Sequence, residues 1–159
     1  MMQDKRAMME ALAPRAVLKP LTEEATHTIP DGLLVGGVVP IRRFPFRVGR
    51  ESRVMMVNGQ LRRLERPRSQ EHEPNNDLYL LDSLKPLRVS REHFQIERTS
   101  TGYRLVDRGS ACGVRVAGVE VGGSDAGGEV VLRDGDEIAI SIYDTPYRYT
   151  FIALEDAGP

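Results

Sequence analysis

A chain of 159 residues that is 40% hydrophobic and 28% charged fits one globular domain with room for a tail, and its 15 Gly and 10 Pro favour many turns over long helices. The single Cys excludes an intrachain disulfide framework, and the three scattered His give no zinc spacing, which fits a reducing, cytoplasmic setting without a cofactor. Net charge is −1, yet residues 42–68 hold nine Arg against two Glu while residues 119–159 hold nine acids against two Arg, so the sum hides a marked asymmetry.

Residues 3–13 read as a short helix, because Met8, Met9 and Leu12 fall near one face and Pro14 ends the pattern. Residues 14–32 lack period and read as an extended or disordered tail, so 1–32 is assigned as an N-terminal tail with a short helix. From residue 33 the pattern turns to short strands, first at 33–39 and 44–48, with Gly36-Gly37 allowing a bulge or close approach. An insertion follows at about residues 51–75, longer than an ordinary loop. It contains Asn58-Gly59 between strand-like flanks, a strong hairpin signal, and then a polar run at 65–76 that reads as mobile. Further strands are expected at 78–81, 94–98, 103–106, 114–116, 119–121, 130–132, 137–142 and 147–154, with Ala117-Gly118 as a second hairpin signal. Short strands at such spacing predict an all-β sandwich of two sheets. No window approaches the roughly 18 apolar residues of a membrane span, so no membrane partner is expected.

Four short motifs stand in order on this background: Gly49-Arg50; Ser90 with His93; Asp107, Ser110 and Gly113; and Leu132, Gly135, Asp136 and Ile138. Together they resemble the forkhead-associated (FHA) family of phosphothreonine-binding modules over most of residues 33–155, as a stand-alone bacterial member would. The resemblance implies a two-sheet antiparallel β-sandwich with its ligand loops gathered at one end. Two positions depart from the family pattern: Cys112 stands where Asn is usual, and Val114 where Thr is usual.

A phosphate dianion needs donors held in place, and the planar fork of Arg50 can give two parallel charge-assisted hydrogen bonds that a Lys could not reproduce. Gly49 lets the turn bend without a side-chain clash. Ser90 offers a hydroxyl and a main-chain N–H at a turn; by resemblance it is the second phosphate contact, and Arg91 aligns with a position that touches peptide or phosphate. Ala111 and Cys112 fall at the peptide-contacting positions of the third loop. A thiol is a weak donor and acceptor, so Cys112 replaces poorly the amide that holds the peptide backbone. His93 aligns with the histidine that braces the loops. Asp107 and Ser110 can bond nearby backbone N–H groups, and Gly109 and Gly113 supply unusual backbone angles.

The function expected from these residues is non-catalytic binding of a phosphothreonine protein or peptide, in bacterial kinase signalling or secretion-system assembly. The alternative is a phosphate-independent scaffold that keeps the fold. Thr22, Thr26 and Thr28, beside acids, are candidate phosphoacceptors for docking into the chain's own or a neighbour's site. The arginine-rich segment either draws in an acidic partner or is balanced by the acidic end within the fold. No Gly-rich phosphate loop followed by Lys-Ser/Thr and no His/Glu metal constellation suggests an enzyme, and the scarcity of aromatics, with no Trp, argues against nucleic acid.

Overall fold

The alternation read in the sequence sets which faces meet. In the computed structural model, which describes residues 2–51, 54–63 and 75–155, the chain begins with α1 (Met2–Leu12), β1 (Ala16–Pro20), α2 (Glu23–His27), β2 (Val39–Ile41) and β3 (Phe46–Arg50). It continues through β4 (Val54–Val57), β5 (Gln60–Arg63), β6 (Leu78–Leu80), β7 (Phe94–Thr99), β8 (Gly102–Asp107) and β9 (Val114–Val116). It ends with β10 (Val119–Val121), β11 (Gly128–Leu132), β12 (Glu137–Ile140) and β13 (Arg148–Ala153). One sheet runs β10-β9-β12-β13-β1-β2, the other β11-β8-β7-β3-β6, and β4-β5 is a separate hairpin. Every pairing is antiparallel except β3 with β6. This is the expected all-β sandwich.

Inward residues of both sheets make one core. Phe94 and Ile96 of β7 and Tyr103 and Leu105 of β8 meet Val114, Val116, Ile138, Ile140 and Phe151 from the opposite sheet. The rings of Tyr103 and Phe151 cross the gap edge to face, 5.0 Å apart. At both hairpin signals the two central residues have positive φ, Asn58 (52°) with Gly59 (79°) and Ala117 (48°) with Gly118 (83°), the backbone that a tight two-residue connection demands.

The N-terminal segment is the main correction. Residues 14–32, expected as a tail, carry β1, which lies inside the six-stranded sheet with Leu18 opposite Phe151 on one side and Val39 on the other. Ala16, Val17 and Leu18 are all buried, so both faces of the strand are covered and no alternation marks it in the sequence. The helical turn α2 follows, with Thr22 as its N-cap accepting from the Ala25 N–H. Thr28 is buried, its hydroxyl 2.5 Å from that of Tyr149.

Two smaller differences concern boundaries. Gly36-Gly37 form a tight turn closed by a Val35–Val38 bridge, so the first strand after it is 39–41. The next strand is shifted to 46–50. Of the polar run at 65–76, only Asn75 and Asn76 are among the described residues. The helix expected near the N-terminus is present as α1 but leaves Met8, Met9 and Leu12 exposed. No helix among the described residues is long and apolar enough to cross a membrane.

If β1 is part of the core, Leu18→Ala should lower the unfolding free energy by about 2–5 kcal/mol in urea denaturation, and Met9→Ala by less than about 0.5 kcal/mol. Equal, small effects would return residues 14–32 to the status of a tail.

Candidate functional site

Strand direction brings three of the four motifs together and leaves the Leu132–Asp136 turn at the opposite end. Because β3 is antiparallel to β7 and β7 to β8, the last residues of β3, the turn before β7 and the loop after β8 share one end of the sandwich. The pairing of Phe94 with Asp107 and of Val114 with Ile140 places residues 121–125 and 141–142 at that end too.

Arg50 is the last residue of β3. Its main-chain N–H donates to the Ser90 carbonyl at 3.0 Å and its Nε to the Val89 carbonyl at 2.9 Å, which fixes the plane of the guanidinium against the turn. Gly49 permits this approach in a different way from the bend expected. Its φ is not positive, and a Cβ there would sit 2.0 Å from the Arg91 carbonyl oxygen and 2.5 Å from Asn76 Nδ2. Glycine is required because two backbones nearly touch.

Ser90 presents less than the sequence suggests. Its N–H is already donated to His93 Nδ1 at 3.0 Å, and its Oγ accepts the Ala111 N–H at 3.0 Å. What the turn retains for a ligand is the hydroxyl proton. Arg91 is exposed, and its carbonyl accepts from Asn76 Nδ2 at 2.8 Å.

His93 is fully buried and joins two loops. Since Nδ1 accepts from Ser90, the proton must be on Nε2, which donates to the Gly113 carbonyl at 2.8 Å. Burial pushes its pKa below the ordinary value, while the Gly113 hydrogen bond and the charges of Asp107 and Asp82 pull the other way more weakly. The ring is therefore a neutral brace.

The loop after β8 is closed by its own side chains. Asp107 Oδ1 accepts from the N–H groups of Gly109 (3.0 Å) and Ser110 (2.8 Å), and Oδ2 from the Ser110 hydroxyl (2.5 Å). Ser110 Oγ in turn accepts the Gly113 N–H at 2.9 Å. Gly113, at φ 72°, has no room for a side chain, since a Cβ would lie 2.8 Å from Ile142 Cγ2 and 2.9 Å from the Val121 carbonyl. Ala111 stands exposed at the tip, its carbonyl accepting from the Ser124 N–H. Cys112 is half-buried, with its thiol turned toward the Leu87 carbonyl at 3.8 Å.

Three residues that carry this end were not singled out in the sequence. Asp82 collects the N–H groups of Leu84, Arg88 and Val89 and the hydroxyl of Tyr147. Its bond to a backbone two residues on is an Asx turn, for which Asp82 shortly before Pro86 was a readable signal. Asn76 is buried between Arg91, to which it donates, and Arg108, whose guanidinium donates to Asn76 Oδ1 at 2.6 Å and to the Asn75 carbonyl at 3.0 Å. These partners lie 15 and 32 residues away, so no local pattern announces them. Arg88 Nε is the one buried side-chain nitrogen or oxygen without a partner among the described residues, and it belongs to the same 82–90 loop.

Among the described residues no group of His, Cys, Asp and Glu could hold a metal ion. A groove of about 1050 Å³ lined by Tyr103, Arg104, Val131, Leu132, Arg133 and Glu155 lies at the opposite end of the sandwich, away from the residues of the first three motifs but beside Leu132 of the fourth.

A β-sandwich that gathers a Gly-Arg strand end, a Ser-x-x-His turn and an Asp-closed loop at one pole is a loop-based binding module. The FHA domain family model matches residues 46–141, and the chain belongs to that family. Similar solved structures include Mycobacterium tuberculosis EmbR in complex with a low-affinity phosphopeptide, at 21% identity and a TM-score of 0.48, covering 94% of this chain and 28% of that one. The FHA domain of CT664 from Chlamydia trachomatis is similar at 16% identity and a TM-score of 0.48, covering 89% of this chain and 99% of that one. The N-terminal FHA domain of S. cerevisiae Rad53p, in complex with a phosphothreonine peptide, is similar at 24% identity and a TM-score of 0.38, covering 63% and 90%. The chain thus spans little more than a quarter of the mycobacterial protein's length. No curated protein matches it by sequence.

Two outcomes follow from the geometry. Gly49→Ala should cost at least about 3 kcal/mol in urea denaturation, because the collision is with main chain that cannot rotate away. For His93 the folded pKa lies below the unfolded value near 6.5, so its contribution is fully present above that pH and is lost as pH falls and the unfolded chain takes up the proton. Stability should fall by up to about 1.4 kcal/mol per pH unit below 6.5 from this group, and His93→Gln should lack that component in paired denaturation curves at pH 5 to 7.5.

Proposed function

We propose that this domain is a non-catalytic reader of phosphothreonine in partner proteins. The observation that carries the reading is the Arg50 guanidinium held against the Val89 carbonyl, one residue from the Ser90 hydroxyl, within a chain that matches the FHA family. A guanidinium whose orientation is set before the ligand arrives loses less freedom on binding, and its charge-assisted bonds to a phosphate dianion are about twice as strong as neutral ones. Ser90 supplies a hydroxyl donor beside it, Arg91 adds exposed positive charge, and the tip at Ala111 and Cys112 faces the peptide. Gly49, His93, Asp107, Ser110 and Gly113 shape the loops without touching ligand.

Cys112 separates two tasks. Phosphate capture depends on Arg50 and Ser90, whose supports are main-chain groups, whereas peptide orientation would rest on a side chain that here is a thiol aimed at Leu87. The scaffold reading draws on that same feature. Packing weighs against self-docking through the N-terminal threonines: Thr28 is 1% exposed, the Thr22 hydroxyl donates to the Pro146 carbonyl at 2.5 Å while capping α2, and the half-buried Thr26 hydroxyl donates to the Thr22 carbonyl at 3.0 Å. The reading takes as partner a separate protein modified by a kinase, and bacterial kinase signalling or secretion-system assembly in the cytoplasm is the setting the family suggests.

Calorimetric titration with a degenerate phosphothreonine peptide pool should show binding that the unphosphorylated pool lacks, and Arg50→Ala, with its fold checked by circular dichroism, should weaken it about 100-fold or more. Cys112→Asn should strengthen it several-fold, about 1 kcal/mol. No binding by the folded wild type would instead favour the scaffold.

A further inference from the structure

We propose that Asp82 is the positioning residue for phosphate recognition, holding the Arg50 guanidinium and the Ser90 turn in place through the Val89 peptide; the step deepens the phosphothreonine reading and rests on it. Asp82 follows β6 after one residue and touches no part of the expected ligand surface. Its two oxygens are saturated: Oδ1 accepts from the Leu84 N–H at 3.0 Å and the Tyr147 hydroxyl at 2.9 Å, and Oδ2 from the Arg88 N–H at 2.6 Å and the Val89 N–H at 2.8 Å. Three main-chain donors of one irregular loop thus converge on one carboxylate, which is also tied to the buried ring of Tyr147.

The effect reaches the site in two contacts. Val89 gives its N–H to Asp82 and its carbonyl to Arg50 Nε at 2.9 Å, and the next carbonyl, that of Ser90, accepts the Arg50 N–H at 3.0 Å. Whatever sets the Val89 peptide therefore sets both the plane of the guanidinium and the start of the Ser90 turn. Residues 84–88 pair with no strand, so the carboxylate does here what a ladder does elsewhere. The hold extends to the N-terminal segment, because the Leu81 N–H donates to the Thr28 carbonyl at 2.8 Å. An amide in place of the carboxylate would turn an NH2 toward two donors, so charge and acceptor geometry are both required.

The test compares Asp82→Asn with Tyr147→Phe, which removes the carboxylate's tie to the core and the acceptor of the Ser83 N–H but leaves the three N–H groups on Asp82 in place. Two quantities are read on folded protein: hydrogen exchange of the Arg50 Nε–H by NMR without ligand, and affinity for the phosphothreonine pool. Asp82→Asn should speed that exchange and weaken binding each by about tenfold or more, while Tyr147→Phe lowers the melting temperature and changes both by less than about threefold. Asp82→Glu, which keeps both oxygens and the charge, should recover part of each, and Asp82→Ser replaces Asp82→Asn in the comparison if that variant does not fold. Equal effects of the two substitutions, or unchanged exchange at Arg50 in the Asp82 variant, would overturn the proposal. If the wild type binds no phosphopeptide, the reading of the previous section falls, and the exchange comparison alone still decides whether Asp82 holds Arg50.

Discussion

The loop end of this molecule that carries the candidate site depends on one neutral imidazole. A side chain as polar as His93 can be fully buried only if both ring nitrogens find partners, and here the partners belong to two different loops, Ser90 N–H on one side and the Gly113 carbonyl on the other. The Gly113 carbonyl also accepts the Ser141 N–H, so the connection between β12 and β13 joins the same junction. Three chain segments far apart in sequence are thus referenced to one ring. Protonation would place a second donor against Ser90, which is why the low-dielectric setting and the hydrogen-bond pattern agree on the uncharged form.

Around that junction the loops are built by side chains acting as substitute strands. Asp107, Asp82 and Asn76 each take main-chain groups that no sheet partner satisfies, and each serves a segment that carries an expected ligand contact. Gly49 belongs to the same logic from the opposite direction: β3 must come close enough to Arg91 for the Arg50 N–H to reach Ser90, and any Cβ would hold the two backbones apart.

How much of this could be read beforehand follows from the range of the interactions. β7 and β8 are covered on one face only, so their residues alternate and their positions were legible; the hairpins at Asn58-Gly59 and Ala117-Gly118 are set by two adjacent residues and were equally plain. β1 was not, because Ala16-Val17-Leu18 is buried on both faces and a run so short has no period. Motif order located Arg50, Ser90, His93 and Asp107, but it could not show that the Ser90 N–H is already committed, or that Asn76 and Arg108 support the turn from 15 residues and more away.

Charge placement offers a last constraint on what the binding end can attract. The sequence left open whether the arginine-rich segment 42–68 is neutralised by the acidic segment 119–159. Among the described residues the ion pairs of the acidic segment go to Arg15, Arg98, Arg104, Arg115 and Arg148, all outside 42–68. Arg47 pairs with Asp77, and Arg42 and Arg50 donate to the carbonyls of Leu12 and Val89. The described acids of the far end are thus tied to strands other than the segment that leads into these loops, and any longer-range attraction between the two segments is weakened by salt over roughly a Debye length of 8–10 Å.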